Sequence, residues 1–319
     1  MDVVGIGNAL MDVIAFVDED FAPSLGFHNN STVHLERSRL ELVLEALDRP
    51  YLTAGGGAAN MAKTAATLGL ASAFVGALGQ DRYGDLYRAD FEAARVCSRF
   101  SISDESTGVY CALIKPDGGR TLLVAPGAAG YVTRQAPPAD LFSKEAILYI
   151  EGFLLRDRRF FLSTLETARS AGMRIAIDLG SQSLVQASRG FILDLLPDYC
   201  DYLFANEDEL EALSELPLGE GLALLGEGET AVIVKLAERG AIYARKGERV
   251  ESPVRAVRPV DETGAGDAFA AGFLSGLARS FPPERCLRLG NRIAEEVLLV
   301  PGLSVDPERI RRARSSVAA

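Results

Sequence analysis

The chain has 319 residues, which is enough for one large α/β core or for one core with a small attached subdomain. Its 33 basic and 44 acidic residues give a formal net charge of −11, which disfavours roles that depend on neutralising the phosphates of nucleic acid or of an anionic membrane. The first residues carry no basic segment followed by an apolar one, and no stretch approaches the roughly 18 apolar residues of a membrane span, so we expect a cytoplasmic protein.

The four cysteines are widely spaced and form no Cys-x-x-Cys pair: Cys97, Cys111, Cys200 and Cys286. This spacing indicates neither a zinc knuckle nor a disulfide framework, and we expect buried thiols. The two histidines, His28 and His34, stand in a polar stretch without a nearby cysteine or an obvious set of carboxylates. They are predicted to lie in a loop or an edge strand rather than to bind zinc.

Short apolar runs alternate with helical patterns along most of the chain, which is typical of βαβ units and a mostly parallel sheet. Six runs are predicted to form strands of this sheet: Val3–Gly7, Ser72–Ala77, Ala146–Ile150, Arg174–Asp178, Tyr202–Ala205 and Ala231–Lys235. Two stretches, Val13–Glu36 and Thr107–Gly127, alternate with period two around turn residues, which predicts hairpin strands in a small sheet over the site. Without a repeat or a linker, we expect one domain over residues 1–319, with lid segments at about 13–36 and 107–127 inserted in the α/β core.

Two polar residues, Asn8 and Asp12, lie at the end of the first predicted strand, in the segment Gly7–Asp12. The Asp12 carboxylate can accept hydrogen bonds from two adjacent hydroxyls, as a ribose 2′,3′-diol requires, although a turn or capping role explains the same residue. The pair Gly5 and Gly7 lacks the third glycine and the distal acidic residue of a dinucleotide site, so an NAD-dependent oxidoreductase is disfavoured.

A second glycine-rich segment, Gly55–Asn60, precedes an alanine-rich helix predicted over Met61–Leu68. Glycines such as Gly56 and Gly57 let backbone amides approach a hydroxylated ligand, and Asn60 can both donate and accept at one sugar hydroxyl. We therefore predict substrate binding here, with a flexible turn before a buried helix as the alternative.

A third glycine-rich segment, Asp261–Asp267, follows a strand-like run at Arg255–Val260 and leads into a helix predicted over Ala268–Arg279. Gly264 and Gly266 remove side chains where the backbone must approach a ligand, and the helix start offers unpaired N–H groups and the positive end of the helix dipole. Such a helix start binds anions.

Phosphoryl transfer needs donors of this kind and a carboxylate that orients or deprotonates the attacking hydroxyl, and Asp267 stands where it can do so. A helix cap made by Thr263 or Asp267 beside a tight glycine turn explains the same pattern. The segment is not a Walker loop, because no Gly-Lys-Ser/Thr follows.

These motifs, taken together, resemble the PfkB, or ribokinase-like, family of carbohydrate and nucleoside kinases over nearly the whole chain. The family's DTxGAGDxF signature is matched by Asp261–Phe269, with Glu262 in the variable place, and its glycine-rich substrate signature by Gly55–Asn60. The GxDxxG pattern of the family is matched by Gly79–Gly84. The resemblance implies a ribokinase-like α/β fold with a small β-sheet lid.

The resemblance also implies roles for the third glycine-rich segment. Asp267 corresponds to the base that activates the substrate hydroxyl, and the amides of Gly264, Ala265 and Gly266 correspond to those that stabilise the transferring phosphoryl group. Arg120 occupies a lid-strand position from which an arginine approaches the phosphates. A hairpin arginine in solvent is the alternative.

The resemblance further places Mg²⁺ and its waters near Asn206 and Glu209, which match the family's Asn-x-x-Glu motif. A capping box between the two residues is equally sound on physical grounds, and both roles are open.

Four further positions are predicted to bind ATP with Asn206: Lys235, Gly240, Thr263 and Asn291. Lys235 and Gly240 lie in a stretch that resembles the family's strand and glycine turn beside ATP, although Ala237 replaces the usual glycine. Asn291 matches a polar position near the adenine, with an exposed helix residue as the alternative.

The resemblance therefore predicts an ATP- and Mg²⁺-dependent kinase that phosphorylates the ribose 5′-hydroxyl of a purine nucleoside. The Asn-x-x-x-Asp spacing of Asn8 and Asp12 is closer to adenosine kinases than to the Asn-x-Asp of ribokinases. A sugar kinase acting on ribose, fructose or a related carbohydrate is the alternative, although Asp178–Ser181 departs from the Asp-x-Asn-x-Arg run of many such kinases.

A non-catalytic sensor of nucleosides or sugars is a second kind of function that the same fold permits. The presence of Asp267, Asn206 and Glu209 disfavours it, because a sensor needs neither a base nor a metal site. The expected partners are ATP and a small nucleoside or sugar, and the expected state is a monomer or a homodimer.

Overall fold

A computed structural model describes residues 1–255 and 257–318. Its strands are β1 (Val3–Ile6), β2 (Leu10–Phe16), β3 (Thr32–His34), β4 (Tyr51–Gly55), β5 (Ser72–Gly79), β6 (Cys97–Ser103), β7 (Gly108–Ile114), β8 (Arg120–Ala125), β9 (Ile147–Glu151), β10 (Arg174–Asp178), β11 (Tyr202–Asn206), β12 (Ala231–Lys235), β13 (Ala241–Arg245) and β14 (Glu248–Ser252). Its α-helices are α1 (Phe21–Ser24), α2 (Arg37–Glu45), α3 (Gly57–Thr67), α4 (Arg82–Ala93), α5 (Arg158–Ser170), α6 (Gln182–Tyr199), α7 (Glu207–Ser214), α8 (Leu218–Gly226), α9 (Ala265–Leu277), α10 (Pro283–Val297) and α11 (Pro307–Ala318).

The larger sheet has nine strands in the order β14-β13-β12-β11-β10-β9-β1-β5-β6. All neighbours from β12 to β6 pair in parallel, and only β13 and β14 are antiparallel. The six predicted strands all lie in this sheet, so the prediction of a mostly parallel sheet is confirmed. The chain leaves β1 toward β5 on one side and returns to β9 on the other, which creates a topological switch point at the carboxyl end of β1.

Alternate side chains of the larger sheet point to opposite faces and enter two separate hydrophobic cores. Tyr149 and Phe204 pack on the face covered by α3, α9 and α10, whereas Leu148 and Leu203 pack on the face covered by α5 and α6. Strands buried on both faces carry the continuous apolar runs seen in the sequence. No helix in the described part of the chain has the length and apolar character that crossing a bilayer requires.

The smaller sheet has five strands in the order β3-β8-β7-β2-β4. The hairpin predicted within Thr107–Gly127 is confirmed as the antiparallel pair β7 and β8. The hairpin predicted within Val13–Glu36 is wrong, because β2 pairs in parallel with β7, β3 pairs in parallel with β8, and α1 intervenes between β2 and β3. A period-two pattern predicts a strand but not its partner. β4, the fifth strand of this sheet, was not predicted from the sequence.

The strand predicted at Arg255–Val260 is also wrong. β14 ends at Ser252, and the described residues of the predicted run lie outside any strand, while Ala256 lies outside the described residues. Pro253 and Pro259 have no N–H to donate to a ladder, which explains why pairing stops here.

Two helices begin earlier than predicted. α9 starts at Ala265 rather than Ala268, and α3 starts at Gly57 rather than Met61. Each glycine-rich segment therefore supplies the first turn of its helix, and Asp267 lies in the first turn of α9 as expected.

Candidate active site

Polar side chains lie at the carboxyl ends of five neighbouring strands of the larger sheet: Asn8 after β1, Glu151 on β9, Asp178 on β10, Asn206 on β11 and Lys235 on β12. The carboxyl ends of parallel strands meet at one edge, so the sheet brings these residues together although they are far apart in sequence. The starts of α3 and α9 reach the same edge, where Gly57 lies next to Asp267.

The loop before α9 is fixed by the buried Asp261 carboxylate. Asp261 Oδ1 accepts hydrogen bonds from the Thr263 amide at 3.1 Å and the Thr263 hydroxyl at 2.9 Å, and Oδ2 accepts one from the Gly302 amide at 2.7 Å. Gly264 adopts a left-handed backbone (φ +79°), and a Cβ there would lie 2.6 Å from Leu303 Cδ1, so the turn requires glycine.

The amides of this loop are only partly free. The Ala265 amide donates to the Glu262 carbonyl at 3.2 Å, whereas no described residue accepts from the amides of Gly264 and Gly266. Two of the three amides predicted to contact a phosphoryl group are therefore available at the positive end of the helix.

Asp267 is partly buried, and its Oδ2 accepts a hydrogen bond from Asn60 Nδ2 at 3.0 Å. Burial raises the pKa of this carboxyl to about 6, against the hydrogen bond from Asn60, and the nearby Asp178 adds to the rise while Lys235 opposes it. A carboxylate with a pKa close to neutral is suited to exchange a proton with a hydroxyl.

Two hydrogen-bond acceptors on the predicted substrate side, Asn60 Oδ1 and the Asp12 carboxylate, lack donors among the described residues. Asn60 Oδ1 is buried, and no described residue donates a hydrogen bond to it or to the buried Asp12 carboxylate. Burial raises the pKa of Asp12 to about 8, and Asp267 and Asp261 contribute to the rise while Lys63 opposes it. Buried acceptors without partners are costly, so a ligand that donates hydroxyl hydrogens fits this part of the site.

The glycines beside these acceptors leave room that a side chain would fill. A Cβ on Gly56 (φ +101°) would lie 2.0 Å from the Asn8 carbonyl oxygen, and a Cβ on Gly57 would lie 3.3 Å from Asp267 Oδ1. The structure thus brings Asn8, Gly56, Gly57 and Asn60 together, as the motifs predict.

Glu151 was missed in the sequence. Its Oε1 accepts from the Asn8 amide at 2.6 Å and its Oε2 from the Ala58 amide at 3.1 Å, so it joins the two glycine-rich substrate segments. Burial raises its pKa to about 7, although both amide hydrogen bonds lower it. The available signal was an acidic residue at the carboxyl end of a buried strand.

Lys235 and Asp178 form a largely buried ion pair on the other side of Asp267. Lys235 Nζ lies 2.9 Å from Asp178 Oδ2, which also accepts from the Tyr149 hydroxyl at 2.8 Å. Burial disfavours the charged form of Lys235, but Asp178 and Glu209 more than offset this and raise its pKa. The ammonium lies beside Gly266, where an added Cβ would be 3.4 Å from Nζ, so a positive charge faces the loop.

Asn206 and Glu209 form the expected capping box at the start of α7. Asn206 Oδ1 accepts from the Glu209 amide at 2.8 Å, Glu209 Oε2 accepts from the Asn206 amide at 2.9 Å, and Asn206 Nδ2 donates to Glu209 Oε1 at 3.0 Å. No cluster of three or more histidine, cysteine or acidic side chains suited to a metal occurs in residues 1–255 and 257–318. The oxygen chemistry of the pair fits Mg²⁺ only through intervening waters.

A cavity of about 750 Å³ opens beside Asp267. Its lining includes most of the residues predicted to bind ATP: Asn206, Lys235, Gly240 and Asn291. Thr263 is not part of the lining and is instead bonded to Asp261. Asn291 is buried and donates to the Ser252 carbonyl at 2.8 Å, so the alternative of an exposed helix residue is wrong.

Arg120 extends from β8 of the smaller sheet to the loop before α9. Its guanidinium forms an ion pair with Glu262 and lies 3.9 Å from Asp261 Oδ1. The side chain is 30% exposed and is paired with this loop, which agrees with the lid-strand position.

A doubly wound α/β sheet, a glycine-rich helix start with a carboxylate in its first turn, and a second sheet that contacts the same loop are together typical of small-molecule kinases. A protein-family model described as the pfkB family carbohydrate kinase matches residues 2–309, and the chain belongs to this family. As a member, it is an ATP-dependent phosphotransferase.

Relatives and solved structures agree with this assignment. A nucleoside kinase of Methanothermobacter thermautotrophicus is 30% identical over 303 residues, which cover 93% of this chain and 89% of the relative. The structure of an adenosine kinase from Sinorhizobium meliloti is 28% identical with a TM-score of 0.89 and covers 99% of both chains. A probable sugar kinase from Rhizobium etli is 26% identical with a TM-score of 0.89 and covers 99% of this chain and 98% of that one. The predicted ribokinase-like fold is confirmed.

Proposed function

We propose that the protein transfers the γ-phosphoryl group of ATP to the ribose 5′-hydroxyl of a purine nucleoside, with adenosine as the first candidate. The observation that carries the proposal is the position of Asp267. Its carboxylate contacts Asn60 on the side of the unpartnered acceptors and also lines the cavity that contains Lys235 and Asn291. The names of the nucleoside and adenosine kinase relatives support the same acceptor.

On the acceptor side, Asp12 and Asn60 provide oxygens that lack donors, and Asn8, Gly56 and Gly57 line the approach to them. A ribose 2′,3′-diol that donates to Asp12 leaves the 5′-hydroxyl free to face Asp267. Asp267 accepts the proton of that hydroxyl as its oxygen attacks the γ-phosphorus. The bond from the γ-phosphorus to the β,γ-bridging oxygen then breaks, and ADP leaves.

On the donor side, positive charge and free amides surround the transferring group. The amides of Gly264 and Gly266 and the Lys235 ammonium stabilise its charge, while Arg120 approaches from the smaller sheet. Ala265 contributes through the turn itself, because its amide is bonded to Glu262. Gly240, Asn291 and the Thr263 turn shape the remainder of the ATP site.

We extend the proposal to Mg²⁺. Bound to the ATP phosphates, it would neutralise their charge, with Asn206 and Glu209 holding its waters. The capping box already orients both side chains, so the two roles are compatible.

We also propose that residues 1–319 act as a single kinase domain whose lid segments, at about 13–36 and 107–127, close over the substrates and exclude water. The contact between Arg120 and Glu262 supports a closing surface at this edge. We expect a cytoplasmic monomer or homodimer, and the four free cysteines agree with a reducing compartment.

A steady-state panel tests the acceptor. Adenosine, inosine, guanosine, ribose and fructose are each supplied with ATP and Mg²⁺, and ADP formation is measured. We expect the highest kcat/KM for a purine nucleoside. Fructose or ribose phosphorylated far better than every nucleoside would establish the alternative sugar kinase, and binding without ADP formation would establish a sensor.

A further inference from the structure

Lys63 is a buried lysine that the phosphoryl-transfer chemistry does not use. It lies on α3, one turn after Asn60, and its side chain is 8% exposed. Nζ donates to the Ala54 carbonyl at 2.5 Å and to Asp90 Oδ2 at 2.8 Å. Burying an ammonium costs free energy that its hydrogen bonds only offset, so packing alone does not explain a lysine at this position.

The contacts of Lys63 form a closed ring around one residue of β4. Asp90 Oδ2, which accepts from Lys63, also accepts from the Ala54 amide at 2.9 Å. Both main-chain polar groups of Ala54 are thereby bonded to side chains. β4 is an edge strand, and Ala54 stands opposite Met11 on β2, so the pair of side chains takes the place of a missing neighbouring strand.

This ring lies directly before the substrate segment. The next residue, Gly55, lies against the Asp12 carboxylate, because a Cβ there would be 2.0 Å from Asp12 Oδ2. A shift of Ala54 would therefore move Gly55 and change the space that Asp12 occupies. We infer that Lys63, clamped to Asp90 around Ala54, is a positioning residue that sets the place and the charge of Asp12 in the acceptor site.

Lys63 is also a positive charge that favours the ionised form of the buried Asp12 carboxyl. The other groups that face Asp12 are the carboxyls of Asp267 and Asp261 and the phenols of Tyr87 and Tyr110. The two carboxyls disfavour an ionised Asp12, and Lys63 opposes them. The inference rests on the proposed function in one respect: it requires that a hydroxyl group of the phosphorylated substrate binds to Asp12.

The test replaces the ammonium and its partner separately. Lys63→Met keeps the apolar stem and removes the charge, Lys63→Arg keeps the charge, and Asp90→Asn weakens the ring. Lys246→Met is the control for the loss of a paired ammonium, because Lys246 forms an ion pair with Glu229 at 2.9 Å in the turn between β13 and β14, outside the proposed site and lid.

We expect Lys63→Met to raise KM for the acceptor about tenfold or more, while KM for ATP stays within about twofold. The pH at which kcat/KM for the acceptor reaches half its maximum should move upward, because Asp12 loses its favourable charge. Lys63→Arg should keep the wild-type pH profile, and Asp90→Asn should raise the acceptor KM with a smaller change in that profile.

An acceptor KM and a pH profile unchanged in Lys63→Met would overturn the inference. Equal losses for acceptor and ATP, with a lower Tm, would reduce Lys63 to a structural role, and Lys63→Arg and Asp90→Asn decide the same question if Lys63→Met does not fold. Every variant is assayed with the acceptor that the wild type phosphorylates best. If the wild type phosphorylates a sugar best, the proposed nucleoside acceptor is refuted, but the Lys63 and Asp90 variants can still be compared with the wild type on that sugar.

Discussion

Three carboxyl groups of the candidate site have raised pKa values, namely Asp12, Glu151 and Asp267. Asp12 and Glu151 are buried and Asp267 is partly buried, and this desolvation raises their pKa values to about 8, 7 and 6. Glu151 accepts a backbone amide at each oxygen, Asp267 accepts only from Asn60, and no described residue donates to Asp12, so Asp12 and Asp267 are the carboxyls to which a ligand can supply hydrogen bonds. The residues therefore differ in proton affinity although they share one edge of the sheet.

The proton affinity of Asp267 predicts how turnover depends on pH. A base must be unprotonated, so kcat at saturating ATP and nucleoside should decline in proportion to the ionised fraction as pH falls through about 6. Initial rates between pH 5 and 8, with folding checked at each pH, measure this. A kcat that stays constant down to pH 5 would contradict the role of Asp267.

Because Asp12 is buried near the carboxyls of Asp267 and Asp261, replacing it with a neutral side chain should raise the stability of the protein at high pH. Its pKa is raised in the folded protein, so its stabilising contribution is complete below about pH 4 and is lost as pH rises through about 8. At pH 8–9, Asp12→Asn should therefore raise the Tm of the ligand-free protein by about 2 °C or more while acceptor binding weakens.

Thermal melting at pH 5 and pH 9 without substrates checks the Asp12 prediction. Asp48→Asn is the control, because the Asp48 side chain is 96% exposed and its removal should change neither curve appreciably. A Tm difference between Asp12→Asn and wild type that is the same at both pH values would argue against a buried, perturbed carboxylate.

At the scale of elements, the helix that carries Asp267 is seated by a close crossing with α10. A Cβ on Gly272 would lie 2.8 Å from Gly290 Cα and 2.9 Å from the Leu289 carbonyl oxygen, and both are backbone atoms that cannot turn aside. Gly272→Ala should therefore destabilise the protein by about 1–3 kcal/mol, measured by urea unfolding. Gly190→Ala is the control, because Gly190 is exposed on α6 with open space around it and should gain up to about 1 kcal/mol. Equal effects of the two substitutions would refute the close crossing.

Substitutions of Asn206 at the start of α7 distinguish a helix-capping role from a role in Mg²⁺ binding. Asn206→Ala removes the cap and should cost about 1 kcal/mol of stability, whereas Asn206→Ser keeps a capping oxygen and should cost little. Both variants lose the amide, so both should need more Mg²⁺ for half-maximal activity. Urea unfolding and Mg²⁺ titrations measure the two effects, and unchanged Mg²⁺ requirements in both variants would leave Asn206 as a cap alone.

Elements whose signals are local were predictable from the sequence. Apolar runs located six strands of the parallel sheet but not β6, and glycine-rich segments located α3 and α9, although both helices start earlier than predicted. The partner of β2 was not predictable, because pairing depends on segments distant in sequence. Glu151 and the ion pair between Asp178 and Lys235 were missed for the same reason, since only the strand order β12-β11-β10-β9-β1 brings their strand ends together.

At the scale of the whole molecule, the two proposed half-sites meet at the Asp267 carboxylate. The residues proposed to bind the nucleoside follow β1 or lie on β2 and α3, those proposed to bind ATP lie on β10 to β12 and α10, and Asp267 lies at the start of α9. The switch point beside β1 is what places one half on each side. Arg120 joins the smaller sheet to the same loop.

The most direct test of this account is the turnover of Asp267→Asn, measured as ADP and nucleoside 5′-monophosphate formed from ATP and adenosine, with the phosphorylated position assigned by NMR. Asp85→Asn is the control, because Asp85 also lies in the first turn of a helix but is exposed. We expect kcat of Asp267→Asn to fall roughly 10²–10⁴-fold while ATP binding and Tm are retained, and Asp85→Asn to match wild type. Wild-type turnover in Asp267→Asn, or a phosphoryl group found elsewhere than on the 5′-oxygen, would contradict the account.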